Sequence, residues 1–429
     1  MNKIIINLIA HDGITSLYTG VGRIVYDSIR VLDGSKYTVN AITGKYNESC
    51  LGFNKIIKEE TKNILNKTGG DLYECNNGSD GSVSYGNLEN WAVASSSTAE
   101  ILAKITAANP EATCINLCLD TPFAHVAIYA NTFNLKNNIF IWIPHSTVLI
   151  HKVDSALKKV DGYLEKRLTW EREAIAYANN NKNNFVGYVG EFMKQHLLED
   201  YAVHLDKLTP FINGLNIEDK RFTTPMTQAD IEKILIKHNI PTDKKLLLSF
   251  GRLEPYKGFE FTIKIGGQLS NQNIQTVLLS QPYQTDDPNI SEYQELMKQY
   301  NPEGIFLYDY GFDLPHAIIQ WHKTHILLTP SVAEPFGLIP EEARLYKNNT
   351  MRIICSENGG FPEQISNLVD GFLINLDELE TANKLIEEIS NLSDDKVTEI
   401  NKLGYQRAIT QYNLKINLEK SLNILLNTK

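Results

Sequence analysis

Long apolar runs are missing from this chain. No stretch of roughly 18 or more apolar residues occurs, so the sequence offers no transmembrane helix. The start, Met1 to Ala10, has a short apolar core. Asn7 interrupts it, and His11-Asp12-Gly13 follows where a small-residue cleavage site would stand. A first buried strand is the better reading than a secretory leader. Positive charge is also short: 41 Lys and Arg stand against 51 Asp and Glu, a net charge of −10. A nucleic-acid binder needs a basic face to displace phosphate counterions, so no nucleic-acid partner is expected. Cysteine is scarce. The five are Cys50, Cys75, Cys114, Cys118 and Cys355, an odd number that gives no disulfide framework. Cys114 and Cys118 lie four apart in the strand-like run 113–119, where they share a face but are too far apart to clamp one metal ion. They read as buried thiols of a reducing compartment, and the expected location is cytoplasmic.

What remains is ordinary globular composition, 42% hydrophobic and 21% charged. At 429 residues the chain is long enough for two domains, each with its own core. Residues 3–10 read as a strand, a loop runs to Gly20 and Gly22, and Ile24, Val25, Ile29, Val31 and Leu32 suggest a helix. Strand, Gly-containing loop and helix open a Rossmann-like unit. The third glycine of the dinucleotide fingerprint is absent, so an NAD site is not supported. Residues 43–90 are polar, with a loop tip at 76–82, and carry no readable function. A helix at 98–108 and a strand at 113–119 follow, then Asp120-Thr121-Pro122. The strand 139–143 ends in Pro144-His145-Ser146. A histidine at a strand's carboxyl end faces the crevice where open α/β sheets bind ligands; His151 competes with His145 for that position. Over 152–178, Val153, Leu157, Val160, Leu164 and Leu168 recur at helical spacing. A solvated face over a core stripe is the better reading there than a membrane-surface helix. Strands at 185–190 and 208–214 lead to a polar linker at 216–228. The second half resumes with a helix at 228–238 and strands at 245–251, 276–280, 304–308, 326–328 and 352–355. Helices at 377–391, 394–412 and 414–427 end the chain.

The most informative stretch is Thr329 to Arg344. The apolar strand 326–328 runs into Pro330 and Ser331, then Glu334. A helix opened by Phe336, Gly337 and Leu338 follows, with Pro340 in its first turn, where a missing N–H costs nothing, and Glu342 one to two turns in. Unpaired amides at a helix start form an anion site, and Gly337 lets a ligand approach the backbone. Carboxylates flank that site on both sides. Phosphate between two sets of hydroxyls is what a nucleotide sugar presents.

Glu334 and Glu342, with seven residues between them around Pro335-Phe336-Gly337-Leu338, resemble the E-x7-E motif of retaining glycosyltransferases, most closely family 4. Ser249-Phe250-Gly251-Arg252-Leu253 followed by Lys257-Gly258 is similar to that family's diphosphate-binding segment. Glu357 to Glu363, then Asp370 to Leu373, is similar to the segment after its sugar-binding helix. The order and spacing match through most of the second half and more loosely in the first. Residues 347–351, Lys-Asn-Asn-Thr-Met, depart from the family's usual Gly-Pro-Val approach.

The resemblance implies an α/β fold of two Rossmann-like domains facing a central cleft, the GT-B architecture. It divides the chain into an acceptor-binding domain at 1–217, a nucleotide-sugar-binding domain at 218–410 and a C-terminal helix at 411–429 returning to the first domain. The implied reaction is transfer of a hexose-type sugar from a nucleoside diphosphate, UDP before GDP or ADP, to an acceptor hydroxyl with retention. The acceptor is a glycan, a lipid-linked molecule, a protein or a small molecule. By resemblance Glu334 contacts the sugar hydroxyls and Glu342 the ribose, whose diol suits a carboxylate. The amides of Phe336, Gly337 and Leu338 touch sugar and phosphate, Gly20 and Gly22 face the donor phosphate, Gly311 and Phe312 lie by the base, and His145 closes over the sugar. Glu363 is either a helix-start charge or a ligand contact. No D-x-D pair exists to hold a divalent cation, and Arg252 and Lys257 can carry the leaving charge directly. No cofactor or metal is expected, and peripheral membrane contact is not indicated. A nucleotide-sugar epimerase or hydrolase on the same fold is the alternative, and a non-catalytic nucleotide-sugar or glycan-binding protein the second.

Overall fold

Runs of Ile, Leu and Val without polar alternation are what strands buried on both faces require, and such runs supply the centre of two parallel sheets. The computed structural model describes residues 3–17, 19–48, 50, 52–79, 87–151, 162–282, 287–311 and 313–427. The chain divides into two units, one of 1–152, 156–216 and 413–429, the other of 153–155 and 217–412.

In the first unit the strands are β1 (Ile4–Ile9), β2 (Thr38–Gly44), β3 (Leu72–Cys75), β4 (Thr113–Leu119), β5 (Asn138–Ile143), β6 (Asn184–Tyr188) and β7 (Leu208–Pro210). The helices are α1 (Gly20–Val31), α2 (Lys55–Lys67), α3 (Leu88–Ala108), α4 (Val126–Ala130), α5 (Tyr163–Asn180) and α6 (Glu191–Glu199). The sheet order is β3-β2-β1-β4-β5-β6-β7, all parallel. Chain order reverses between β1 and β4, and ligands bind outside the carboxyl ends of strands at such a switch point. Asn7, Asn40, Asn116 and Asn138 sit side by side on four neighbouring strands. Each buried amide there is satisfied by the next in a chain of hydrogen bonds of 2.7, 2.8 and 3.0 Å.

The second unit contains α7 (Lys220–Thr223), α8 (Gln228–Lys237), β8 (Lys245–Arg252), α9 (Phe259–Leu269), β9 (Ile274–Gln281), α10 (Pro288–Tyr300) and β10 (Ile305–Leu307). It continues with α11 (Asp313–Gln320), β11 (Thr324–Thr329), α12 (Ile339–Leu345), β12 (Arg352–Ser356), α13 (Phe361–Gln364), β13 (Phe372–Ile374), α14 (Leu379–Ser390) and α15 (Asp394–Gln411). Its sheet runs β10-β9-β8-β11-β12-β13, also parallel. Again the reversal, here between β8 and β11, marks the crevice. The last helix, α16 (Leu414–Asn427), belongs to the first unit and packs on α1 and β7.

The structure corrects the reading in several places. The stretch 43–90, read as an unassigned polar region, contains α2, β3 and the start of α3. Only Thr61 and Leu65 of α2 are buried, too few to print a helical stripe on the sequence. Helix α3 begins ten residues before the expected 98 because Asn87 caps it, accepting from the amide of Glu89. The expected helix at 152–178 is described only from Tyr163 onward; residues 152–161 lie outside the described residues, as does the loop tip at 80–82. The departing loop 347–351 is held by asparagine side chains. Asn348 donates to the carbonyls of Ile319 and Trp321 at 2.9 and 3.0 Å, and Asn401 donates to those of Asn349 and Met351 at 2.8 Å each. No helix among the described residues is long and apolar enough to cross a membrane, and all five cysteines are buried.

Candidate active site

In the second unit, β8 and β11 are neighbours, and the loops at their carboxyl ends converge. Arg252 ends β8, and the loop after it carries Lys257 on a short 3-10 turn at 255–257. Gly258 then takes a left-handed φ of 65°, and a Cβ on it would overlap the carbonyl oxygen of Pro330. The glycine is the reason this loop can lie flat against the β11 loop. The amide of Val332 donates to the carbonyl of Tyr256 at 2.8 Å and closes the seam.

Across that seam Lys257 Nζ meets Glu334 Oε2 at 2.5 Å, with both side chains largely buried. Burial pulls the Lys257 pKa down most strongly of any single cause, but Glu334 and Tyr256 together outweigh it and the ammonium is held above its ordinary value. Ser331 Oγ donates to the same carboxylate oxygen at 3.3 Å. Arg252 donates to the Tyr256 hydroxyl, and both cations approach the Tyr256 ring face, at 5.9 Å for Arg252 and 5.2 Å for Lys257. Glu334 is pinned from behind. Its carbonyl accepts from the amide of Gly360 at 2.8 Å, and a Cβ on Gly359 (φ 60°) would overlap that same carbonyl. The paired glycines of 357–363 thus have a mechanical reason: only glycine there lets the two loops touch.

The helix carrying the second glutamate differs from expectation. It starts at Ile339, not at Phe336, so Phe336, Gly337 and Leu338 form the turn before it. Glu342 therefore lies in the first turn, not one to two turns in, and α12 is only seven residues long. Gly337 has φ 81°. The Phe336 ring is core, packed edge-on against Tyr412 at 5.5 Å, and its carbonyl accepts from the Gln364 side chain. Glu342 Oε1 pairs with Arg221 Nη1 of α7 at 3.4 Å. Arg221 stands in the stretch read as a polar linker and was not anticipated; 121 positions separate the partners, so no local pattern could have joined them. Glu363 sits in the first turn of α13, where its carbonyl accepts from Arg407 and Tyr412 at 3.1 and 3.0 Å. Gly311 is exposed, and Phe312 lies outside the described residues.

In the first unit, the carboxyl ends of β1, β4 and β5 bring together His11, Asp12, Asp120 and His145, all buried. Asp12, unremarked in the sequence, organises the β1–α1 loop. Its carboxylate accepts from the amides of Gly13 (2.8 Å) and Thr19 (2.7 Å) and from the hydroxyls of Ser16 (2.6 Å) and Thr19 (2.8 Å). Gly22 is buried hard against that carboxylate, where a Cβ would overlap it, whereas Gly20 opens α1 in the exposed first turn. His11 Nδ1 lies 3.9 Å from Asp120 Oδ2. Asp120 has φ 73°, rare for a residue with a side chain. Burial pushes the His145 imidazole down to about 4, with Asp120 pulling it up and His11 pushing it further down. It is therefore neutral at pH 7, and its buried Nε2 has no hydrogen-bond partner. His151 lies one turn on, its amide donating to the carbonyl of Thr147 at 3.1 Å. No set of three or more His, Cys, Asp or Glu among the described residues is arranged to hold a metal ion.

Residues 230–407 match the family described as Glycosyl transferases group 1. The D-inositol 3-phosphate glycosyltransferase of Corynebacterium glutamicum is 22% identical over 212 residues, 48% of each chain. The chain spans only 61% and 48% of the length of the two curated relatives it matches. Among solved structures, sucrose-phosphate synthase from Thermosynechococcus elongatus is 17% identical, with all of both chains covered and a TM-score of 0.75. Anabaena Alr3699/HepE in complex with UDP-glucose is 15% identical, covering 99% of this chain and 100% of that one, with a TM-score of 0.68. At such identities the likeness shows the fold, which is GT-B. The family match covers residues 230–407, less than half of the chain and all within the second unit.

Proposed function

We propose that the protein is a retaining, family 4-like glycosyltransferase that moves a hexose-type sugar from a nucleoside diphosphate, UDP in the first instance, to an acceptor hydroxyl without a metal ion. The observation that carries this reading is the meeting of Lys257 and Glu334 across the seam of the β8 and β11 loops, with Arg252 beside Tyr256 and Glu342 on the helix that follows, in the unit that matches the glycosyltransferase family. The structurally similar Alr3699/HepE is in complex with UDP-glucose, which favours a UDP-sugar as the donor here.

In this reading Glu334 accepts from sugar hydroxyls and Glu342 from the ribose diol. Arg252 and Lys257 take the charge that grows on the diphosphate as the bond from the sugar C1 to the phosphate oxygen breaks. The acceptor oxygen bonds to C1 on the same face, and its proton passes to the departing phosphate oxygen. His145, neutral and with a buried Nε2 that has no partner in the protein, is the residue the resemblance assigns to a sugar hydroxyl. The acceptor is a glycan, a lipid-linked molecule, a protein or a small metabolite.

The test is a thermal-shift panel of UDP, GDP, ADP and UDP-glucose in EDTA, on wild type and Glu342→Ala. A ligand bound only by the native state at about 100 times its Kd adds about 2.7 kcal/mol. The expected result is a shift with UDP and UDP-glucose that Glu342→Ala loses. NMR of the transfer product should then show the donor's anomeric configuration. No shift with any nucleotide would overturn the reading, and release of free sugar with no acceptor product would favour the hydrolase.

A further inference from the structure

The two loops that present Asp120 and His145 carry a few bonds of their own, among them the amide of Asp120 to the carbonyl of Ile143 at 3.0 Å and that of Ala124 to Thr121 at 3.1 Å, and are tied from outside as well. Asp120 stands at φ 73° after β4, and residues 144–149 follow β5 without regular structure. One face of α5 reaches both. Its residues 167, 170 and 171, at i, i+3 and i+4, point the same way. Glu171 is fully buried, and its carboxylate accepts from the amide of Val148 at 3.1 and 3.2 Å, three positions past His145. The same carboxylate accepts from Arg167 Nε at 2.8 Å and the Tyr201 hydroxyl at 2.5 Å. Arg167, 5% exposed, then donates from Nη2 to Thr121 Oγ1 at 3.2 Å, beside Asp120. Trp170 Nε1 donates to the carbonyl of Thr121 at 2.9 Å, and Trp142 Nε1 to that of Asp120 at 3.2 Å. A further tether runs from Thr147 Oγ1 to His196 Nε2 at 2.7 Å and on from His196 Nδ1 to Asp200 at 2.6 Å.

A buried ion pair is a poor source of net stability. Replacing both charges by uncharged groups of similar size is often neutral or better, while removing one partner is costly. The pair on α5 is better explained by what it fixes. We infer that Glu171 and Arg167 are positioning residues that set the place of the His145 imidazole, Glu171 through the amide of Val148 and Arg167 through Thr121 and Asp120. The hydrogen bonds of both run to protein groups, Val148, Tyr201 and Thr121. Their link to catalysis rests on the reading of His145 as a sugar contact, but the geometric claim does not.

The experiment therefore reads His145 directly. Full-length protein labelled with 15N-histidine gives ring nitrogen and Cε1–H shifts at pH 7, with His145 assigned by loss of its signals in His145→Gln. Glu171→Gln keeps size but turns one of the two carboxylate oxygens that meet the Val148 amide into an NH2 donor, and it breaks the ion pair with Arg167. In it the His145 ring signals should move, while those of His325, in the other unit, stay put. Arg167→Met with Glu171→Gln leaves no unpaired buried charge, and serves if the single variant does not fold; it should move the same signals. In the transfer assay, Glu171→Gln should lower kcat by tenfold or more with KM for the UDP-sugar within about threefold. Glu171→Asp, which restores the charge, should recover part of both effects. Unchanged His145 signals in a folded variant would overturn the inference. If wild type transfers no sugar, the proposed function fails, and the His145 signals still decide the positioning role.

Discussion

Lys257 and Glu334 occupy each other across the seam of the β8 and β11 loops. Each is largely buried, and the 2.5 Å pair is what makes that burial tolerable. A donor bound there would offer both a better partner: diphosphate for the ammonium, hydroxyls for the carboxylate. The pair then acts as a charge store released where charge develops. Losing one preorganised donor to a developing charge costs about 100-fold or more in rate. Lys257→Ala should accordingly lower kcat/KM by about that factor and leave Glu334 leaning on Ser331 alone. Steady-state kinetics on a variant of unchanged far-UV circular dichroism measures this, and a loss below threefold would remove Lys257 from the diphosphate. The sequence names both residues through their motif segments. It does not name their partners, because Lys257 to Glu334 and Arg221 to Glu342 are contacts across 77 and 121 positions. Asp12 was equally hidden: an acid beside a glycine in a loop is common, and only the fold shows four donors turned towards it.

Among the elements, those buried on both faces were legible. Ile139–Ile143, Leu246–Leu248 and Ile326–Leu328 are continuous apolar runs, as parallel strands must be. The segments that escaped are those facing outward. β3 has a single fully buried residue, and the buried positions of α2 are too few to set a period. The start of α12 was placed too early for another reason: Pro340 marks a first turn only to within a residue or two, and Phe336 to Leu338 form the turn before it. The last helix is the element whose loss should tell most. α16 buries Leu414, Leu418, Leu422 and Leu425 within the first unit. At about 1.5–3 kcal/mol for each buried leucine, that is about 6–12 kcal/mol before entropy, comparable to a whole domain's margin of about 5–15 kcal/mol. A chain ending at Tyr412 should lose amide protection in β1 and β4 yet keep it in β8 and β11, as hydrogen-exchange mass spectrometry can report. Retained protection in β1 and β4 would show that α16 is dispensable to the first unit's core.

Across the whole molecule, acid should be the sharpest stress. His125, His145 and His325 are each pushed by burial to about 4. Asp120 and His11 act on His145. Arg352, Lys245 and Asp394 act on His325, which also meets the Ser390 carbonyl at 3.0 Å. His125 bonds the Trp170 carbonyl at 2.8 Å and lies near Glu173. Below about pH 6.5 the unfolded chain takes up protons that the folded chain refuses until about pH 4. The stability these neutral histidines provide is therefore complete above about 6.5 and lost as pH falls through that window. Each can withdraw on the order of 3 kcal/mol by pH 4. His196, also lowered by burial, adds in the same direction. Glu341 runs the other way: burial lifts its carboxyl to about 7 against the pull of Arg344 and Arg407, so its contribution falls as pH rises from its ordinary value. It offsets about one histidine and leaves two or more uncompensated. Urea unfolding should then give a free energy several kcal/mol lower at pH 5 than at pH 7, and His325→Gln should flatten part of that difference. A profile level between pH 5 and 7 would mean that these rings take protons inside the fold, which their burial argues against.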